Sequence, residues 1–341
     1  MEQISKKTVF SRITKRRELP VIIATLALCV IFRASSENFF SAYNMYNLLR
    51  TACIYSIIAL SQACVQIVGG TSLCVGYIGA MGAVVAGVCM QELGLSGAVA
   101  TLAAVAACCI CGAINGLIIT KLRLSAFVTT LATQFIFKGL VTGISKGFPY
   151  TGLTPDYSNF GRGDFLGIPL ITLATVAILV MIWYFFRYTT TGRKVLATGG
   201  NQRAAAMAAV DVDRMIFIAN VLSGLFAGIA AVWSVSLNGI AQPTTGADWM
   251  LYSFAVSVIG GTGLTGGVIC PLGLAIAGFM IVIIKNGLVL MRANTYFEQT
   301  YLGLILLAAC SVGAISNMVN VARRRRKFRA EQAAKIESRD L

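Results

Sequence analysis

Residues 167–186 read GIPLITLATVAILVMIWYFF, twenty residues without a charged side chain. A helix of this length and composition crosses about 30 Å of hydrocarbon. Similar apolar runs recur along the whole chain, of whose 341 residues 57% are hydrophobic and 12% charged. A soluble domain carries about twice that charged share. The pattern therefore predicts an all-α, polytopic helical membrane protein without a sizeable soluble domain.

The apolar runs predict ten transmembrane spans. They cover residues 19–34, 48–68, 72–90, 97–119, 124–143, 167–186, 215–237, 249–265, 268–290 and 298–318. Eight spans remain an alternative, because the glycine-rich links near Gly69 and Gly260 carry no charge and either could be re-entrant. We expect a basic tail at 1–18, one transmembrane domain at 19–320 and a second basic tail at 321–341.

The net charge of +15 is concentrated in the tails and in some loops. This placement marks the cytoplasmic side of a membrane protein and argues against a nucleic-acid partner. With the N-terminus inside, 21 Lys and Arg residues face the cytoplasm, six face outside, and Lys138 lies within a span. The asymmetry predicts an even number of spans with both termini in the cytoplasm. Aromatic residues belong at the headgroup level, so Trp249 and Tyr252 are expected at the outer end of a span.

The longest polar interruption follows the opening stretch. Residues 189–214 read TTTGRKVLATGGNQRAAAMAAVDVDR and form what we call the basic loop. Alanine has the highest helix propensity, so residues 202–210 are predicted to form a short helix. Gly199 and Gly200 are expected to form a turn before it, and Asn201 its N-cap.

The sequence contains an internal repeat. Residues 69–87 match residues 260–278 at nine of nineteen positions, and Asn115-Gly116-Leu117 recurs as Asn286-Gly287-Leu288. Transporters commonly consist of two such halves with the solute path at their interface. Close helix packing alone is the alternative explanation for these glycines. The sequence does not decide whether the halves are parallel or inverted.

Polar groups at membrane depth are scarce, which disfavours an ion-coupled carrier. Gln62 and Gln66 lie one turn apart and are suited either to a polyhydroxyl solute or to a neighbouring helix. Asn286 is a path candidate that is also suited to helix–helix contact. The candidate path residues are Gln62, Gln66, Gly69, Gly70, Thr71, Ser72, Gly260, Gly261, Thr262 and Asn286.

The sequence contains no motif for catalysis or nucleotide binding. No span carries paired carboxylates, HExxH or GxSxG, and GxxxxGK[ST] is absent, so no catalytic or metal-binding residue is predicted and the chain is not expected to be an enzyme. A neutral path then needs an energy source in another protein.

Four motifs in order resemble the permease subunits of ribose-type bacterial ABC importers, and the resemblance covers nearly the whole chain. The motifs are GGTSLCVG at 69–76, LSAFVTTL at 124–131, GRKVLATGGN at 192–201 with Ala204-Ala205, and GGT at 260–262 with NGL at 286–288. The first motif departs from the usual family pattern GGIDLSVG, because Ser72 replaces an aspartate and Cys74 a serine.

The resemblance implies a multi-pass protein of the bacterial inner membrane that forms the path for a ribose-like monosaccharide or related small polar solute. It implies a second permease copy or paralogue, two cytoplasmic ATPase subunits or domains, an extracytoplasmic sugar-binding protein and surrounding lipid. ATP and Mg would bind to the ATPase, and this chain would hold no cofactor. A stand-alone secondary carrier or facilitator is the alternative. The residues implied in coupling to the ATPase are Gly192, Arg193, Gly199, Gly200, Asn201, Arg203, Ala204 and Ala205.

Overall fold

A computed structural model of the chain describes residues 19–35, 37–263, 266–291, 297, 300, 301, 303 and 304. The described part up to residue 291 contains twelve α-helices. They are α1 (Leu19–Ser35), α2 (Ala42–Ile67), α3 (Val75–Gly87), α4 (Gly97–Lys121), α5 (Ala126–Ser145), α6 (Pro155–Arg162), α7 (Leu170–Tyr188), α8 (Thr190–Gly200), α9 (Gln202–Met207), α10 (Val212–Asn238), α11 (Trp249–Ile259) and α12 (Pro271–Leu290). A 3-10 turn (Glu37–Phe40) precedes α2, and a π-helical turn (Val88–Glu92) extends α3. A two-residue hairpin pairs β1 (Asp164–Phe165) with β2 (Ile168–Pro169) antiparallel.

Seven of the described helices are long and apolar enough to cross a membrane, which confirms the polytopic helical architecture. The helices α1 and α11 are apolar but shorter. Together these nine helices coincide with the first nine predicted spans. The tenth predicted span, 298–318, and the tails at 1–18 and 321–341 fall almost entirely outside the described residues.

Burial separates central from peripheral helices. In α2 78% of the most apolar stretch is buried, whereas in α7 the share is 22% and in α5 it is 28%. The helix α2 packs against α10, α11 and α12, and α10 packs along α4. The exposed sides of α5 and α7 carry large apolar residues such as Phe135, Ile136 and Val180, as lipid-facing helices do.

Small residues bring α4 and α10 into backbone contact. A Cβ at Gly112 would overlap the carbonyl oxygen of Asn220, and one at Gly224 would overlap the carbonyl oxygen of Cys108. Membrane helices associate through such close packing, because lipid tails compete with any apolar side chain. Glycines at these positions fix the distance between the two helices.

The bundle has two ends, distinguished by their loops. The basic loop lies at the end where α2, α4 and α7 finish, and we call this the basic end. The helix α6 and the hairpin lie at the other end, where Tyr150 pairs with Ala241 and the Tyr150 hydroxyl donates to Glu92 at 2.9 Å. Burial and this carboxylate raise the pKa of Tyr150.

The structure corrects the expected position of Trp249. The segment after Ala241 turns inward, so that Gly246 packs on Gly76 and the indole of Trp249 on Gly79. Because Gly79 lies eight residues before the end of α3 at Gly87, Trp249 is about 12 Å below that end, and only 7% of it is exposed. Composition misplaces Trp249, because an interfacial tryptophan and a tryptophan buried at the start of a helix inside the bundle have the same local sequence.

Contacts divide the chain into two units at Met291. In the second unit, residues 292–341, the rings of Phe297 and Tyr301 lie 6.3 Å apart.

Candidate functional site

The basic loop consists of two helices, α8 and α9, that meet at one extended residue. The Thr189 hydroxyl accepts a hydrogen bond from Gly192 N–H at 3.0 Å and starts α8. Asn201 accepts from Ala204 N–H at 3.0 Å and starts α9, which confirms the predicted N-cap. The expected turn at Gly199 and Gly200 is wrong, because both residues lie in the last turn of α8.

The helix α9 also ends earlier than predicted, at Met207. Ala209 adopts a left-handed φ of 57°, and Val210 N–H bonds back to the carbonyl of Ala205 at 3.0 Å. This is the hydrogen bonding of a Schellman cap, which usually has glycine at the left-handed position. The alanine-rich sequence gives no stop signal there, so the earlier end was not predictable.

The two helices present one side to the bundle and one to solvent. Gly192 packs on the carbonyl of Phe185, and Val195, Thr198 and Ala205 are buried. The exposed residues of the loop include Arg193, Lys194, Gly200, Asn201, Arg203, Ala204 and Met207. The loop is therefore a basic surface with small side chains at its corner.

The inner side of the loop meets two other glycine-bearing segments. Gly267 N–H donates to the carbonyl of Ile67 at 2.8 Å, which ties the segment before α12 to the end of α2. Gly199 lies against this bond, because its Cβ would overlap the Ile67 oxygen and lie 2.6 Å from Gly267 N. We call Ile67, Gly69, Gly199 and Gly267 the glycine junction. Gln202 adds a long hydrogen bond, 3.4 Å, from its amide to the Val68 carbonyl.

The helix α2 ends at the junction in a Schellman cap. Gly69, with φ of 81°, donates to the carbonyl of Gln66 at 2.9 Å, and Gly70 donates to that of Val65 at 3.1 Å. Such a cap satisfies carbonyls that the helix end would otherwise leave unbonded. The first glycine motif thus begins as a helix terminus at the basic end.

The second glycine motif ends α11 in the same way, with one difference in register. Gly261, with φ of 89°, donates to Val258, and Thr262 donates to Ser257 at 3.0 Å. The left-handed glycine is the first of the pair at Gly69 but the second at Gly261. Gly260 instead packs against Gly273 at the start of α12. The two motifs therefore share a local structure that is shifted by one residue from their sequence alignment.

Two glutamines lie directly above the junction on α2. Gln62 is 0% and Gln66 1% exposed, and neither side-chain amide has a hydrogen-bond partner among the described residues. Leaving a buried polar group unbonded costs about 1–3 kcal/mol. Thr262, 1% exposed, likewise has an unpartnered hydroxyl in the described part of the chain. Natural proteins rarely retain such groups without a reason, and a polar ligand is one.

The glutamines share a side of α2 with Tyr55, because the separations of seven and eleven residues are close to whole helical turns. The Tyr55 ring contacts that of Tyr252 on α11, with centroids 5.2 Å apart. Lys285 on α12 donates to the Tyr55 hydroxyl at 3.3 Å. The side of α2 that carries Gln62 and Gln66 therefore faces α11 and α12, in the middle of the bundle.

The remaining residues of the first motif pack against α4 and α5. The Thr130 hydroxyl accepts from Leu73 N–H at 3.1 Å and lies 3.2 Å from the Thr71 carbonyl. Ser72 contacts Cys74 at 3.4 Å, and Asn115 donates to the Cys74 sulfur at 3.0 Å. The structure thus brings the first glycine motif and the first Asn-Gly-Leu motif together.

Asn286 lies elsewhere. Its amide and that of Asn44 exchange hydrogen bonds of 2.7 and 3.0 Å near the opposite end of the bundle. This contact joins α12 to the first turn of α2. Asn286 therefore makes a helix–helix contact, which is one of the two roles expected for it. Sequence reasoning missed the glycine junction, and the Gly266-Gly267 pair before Pro271 was its one available signal.

A family model described as the permease component of a branched-chain amino acid transport system matches residues 44–310. The ribose import permease protein RbsC of Bacillus subtilis (strain 168) is 35% identical over 86% of this chain and 91% of the relative. RbsC of Escherichia coli (strain K12) is 32% identical over 85% and 92%. The D-allose transport system permease protein AlsC of the same strain is 29% identical over 85% and 89%.

Proposed function

The chain belongs to the transport-system permease family whose model it matches, and on that premise we propose that it is the membrane subunit of an ATP-binding-cassette importer for a ribose-like monosaccharide. The observation that carries the proposal is similarity to ribose import permeases along nearly the full length of both chains. The family description names branched-chain amino acids, but the three relatives quoted above are sugar permeases. The chain is a multi-pass inner-membrane protein and not itself an enzyme.

We propose that the basic end faces the cytoplasm and that the chain has ten spans with both termini inside. The support is the excess of Lys and Arg in the loops at this end and the alternation of the nine described helices between the two ends. The two glycine motifs, each closing a helix with a Schellman cap, support two related halves.

The basic loop is the proposed contact for the ATPase. Its exposed side is positively charged at Arg193 and Arg203, and Ala204 beside Arg203 gives a small surface that a groove can accept. ATP and Mg belong to the ATPase. A second permease copy or paralogue, two ATPase subunits or domains and an extracytoplasmic sugar-binding protein complete the proposed assembly.

Gln62, Gln66 and Thr262 are the proposed solute-contacting groups in the path. A sugar offers hydroxyls that both donate and accept, and a glutamine amide does the same. Neutral side chains bind such a solute without the cost of burying a charge. The glycines at 69, 70, 260 and 261, with Thr71 and Ser72, shape the backbone around these groups.

Reconstitution tests the proposal. Vesicles containing the chain, its ATPase and its sugar-binding protein should accumulate radiolabelled ribose only when ATP is supplied on the side of the membrane where the ATPase lies. A complex whose ATPase lacks the P-loop lysine is the matched control and should not accumulate it. Ribose uptake by the chain alone, without ATP, would instead identify a secondary carrier or facilitator. ATP-dependent uptake of leucine and not of ribose would move the substrate class to amino acids.

A further inference from the structure

Two neighbouring glycines in the basic loop face opposite directions. Gly200 is exposed, and a Cβ built on it would meet no heavy atom within 4 Å. Gly199 faces inward, where the same atom would overlap the Ile67 carbonyl. The close approach at Gly199 is therefore between backbones, with no side chain in between.

Three segments are joined at this point. The Ile67 carbonyl accepts from Gly267 N–H at 2.8 Å, and Gly199 covers that bond. Gly266 reinforces the arrangement, because its own Cβ would lie 2.7 Å from the Gly199 oxygen and 2.8 Å from that of Ile67. The left-handed φ values of 82° at Gly266 and 75° at Gly267 let the chain pass this closely.

We infer that Gly199 is the positioning residue through which the basic loop moves α2 and α12 together. Ile67 ends the helix that carries Gln62 and Gln66, so a displacement of the end of α8 acts directly on the unpartnered glutamines. Gly267 lies four residues before Pro271, the first residue of α12, so the same displacement acts on that helix. Close-packed backbones transmit a displacement that a flexible side chain would absorb.

The inference rests on the proposed function and gives two neighbouring parts of the basic loop different roles. The exposed corner at Gly200 and Asn201 is the surface for the ATPase, and Gly199 is the contact with the path. A methyl group at 199 should separate the Ile67 carbonyl from Gly267 while it leaves the exposed surface intact. The ATPase should then still bind, but its cycle should no longer be linked to solute movement.

The experiment uses the complete complex of permease, ATPase and sugar-binding protein. In Gly199→Ala we expect the ATPase to co-purify as with the native chain and basal ATP hydrolysis to stay within about twofold. We expect ATP-driven ribose uptake, and the stimulation of hydrolysis by the ribose-loaded binding protein, to fall at least about tenfold, the loss of a typical coupling between sites. Gly139→Ala is the matched control, because its Cβ meets nothing within 4 Å on the exposed side of α5. Unchanged uptake in Gly199→Ala would overturn the inference.

Hydrogen exchange on the native complex decides the matter if Gly199→Ala does not assemble. Amide exchange reports local opening of individual hydrogen bonds. Trapping the ATPase with ATP and vanadate should change exchange in peptides that contain Gly267 and Gly69 together, with little change in peptides from α5. Native complexes that import ribose with ATP but show no change in either peptide would contradict the inference and leave the proposed function standing. Native complexes without ATP-driven uptake would contradict the proposed function itself.

Discussion

The hydroxyl oxygen of Ser72 lies 3.4 Å from the sulfur of Cys74, and both side chains are buried. These are the two positions at which the first glycine motif departs from the pattern of the family it resembles, in which an aspartate and a serine stand. Because the two side chains touch, the two departures form one change. In the family pattern a carboxylate stands beside a hydroxyl, which is a good hydrogen-bond donor. In this chain the neutral Ser72 stands beside the thiol of Cys74.

We therefore expect Ser72→Asp to destabilise the protein, and Cys74→Ser to relieve that loss. A carboxylate at this buried position needs a donor, and a hydroxyl donates more strongly than a thiol. The coupling between the two substitutions should be about 0.5–3 kcal/mol. Thermal unfolding of purified protein in detergent measures it. Cys74→Ser alone is the control and should change stability little; strictly additive effects would show that the pair is not coupled.

Gln66→Leu should raise stability and lower transport. The native amide has no partner among the described residues, so removing it spares a desolvation cost of about 1–3 kcal/mol. Ribose uptake per folded molecule should fall about tenfold, the effect of one lost hydrogen bond to the solute. Unfolding temperature and uptake are measured on the same preparations.

Asn44→Leu is the matched control for that substitution, because Asn44 is partly buried but bonded to Asn286 and to the Phe39 carbonyl. It should lower stability and leave uptake per folded molecule unchanged. If Gln66→Leu behaved in the same way, Gln66 would be a helix contact and not part of the path.

The Asn44–Asn286 pair itself predicts a non-additive cycle. Either single change to leucine removes the hydrogen bonds between the two partly buried amides and should cost about 0.5–1.5 kcal/mol. The double change removes both amides and should cost clearly less than the sum of the two. Thermal unfolding of the three variants provides the test, and a double variant as unstable as the sum would show that the two amides contribute independently.

Charge reversal on the basic loop should weaken the complex with the ATPase. Arg193→Glu and Arg203→Glu change exposed residues, so the chain should fold normally while association slows. The native complex should lose ATPase more readily as salt increases, and the variants should already be deficient at low salt. Co-purification at two salt concentrations measures this. Lys146→Glu, exposed at the opposite end, is the control and should retain the ATPase.

Much of the fold is predictable because membrane spans depend on composition alone. The first nine spans correspond to helices, since about 20 apolar residues have few other ways to satisfy their backbone in lipid. Asn201 was predictable as a cap for a similar reason, because its side chain bonds to a residue only three positions away. These are signals that a local stretch of sequence contains.

Features that depend on distant contacts were not predictable. Trp249 is buried because Gly76 and Gly79 of α3 make room for it. The residues close to 249 in the sequence do not indicate this contact. Ala209 ends α9 in a conformation that alanine seldom adopts. The glycine junction depends on three segments separated by more than sixty residues, so its members look like ordinary loop glycines until the chain is folded.

The meeting of α8 and α9 has a mechanical consequence. Asn201 alone separates the two helices, and Gly199 is in backbone contact with the bundle two residues earlier. If the ATPase acts on α9 as proposed, so short a connection should pass a displacement of α9 to α2 with little loss. On the proposed coupling role, we therefore expect the stiffness of that corner, more than the strength of any single contact on it, to set how much of each displacement reaches the path.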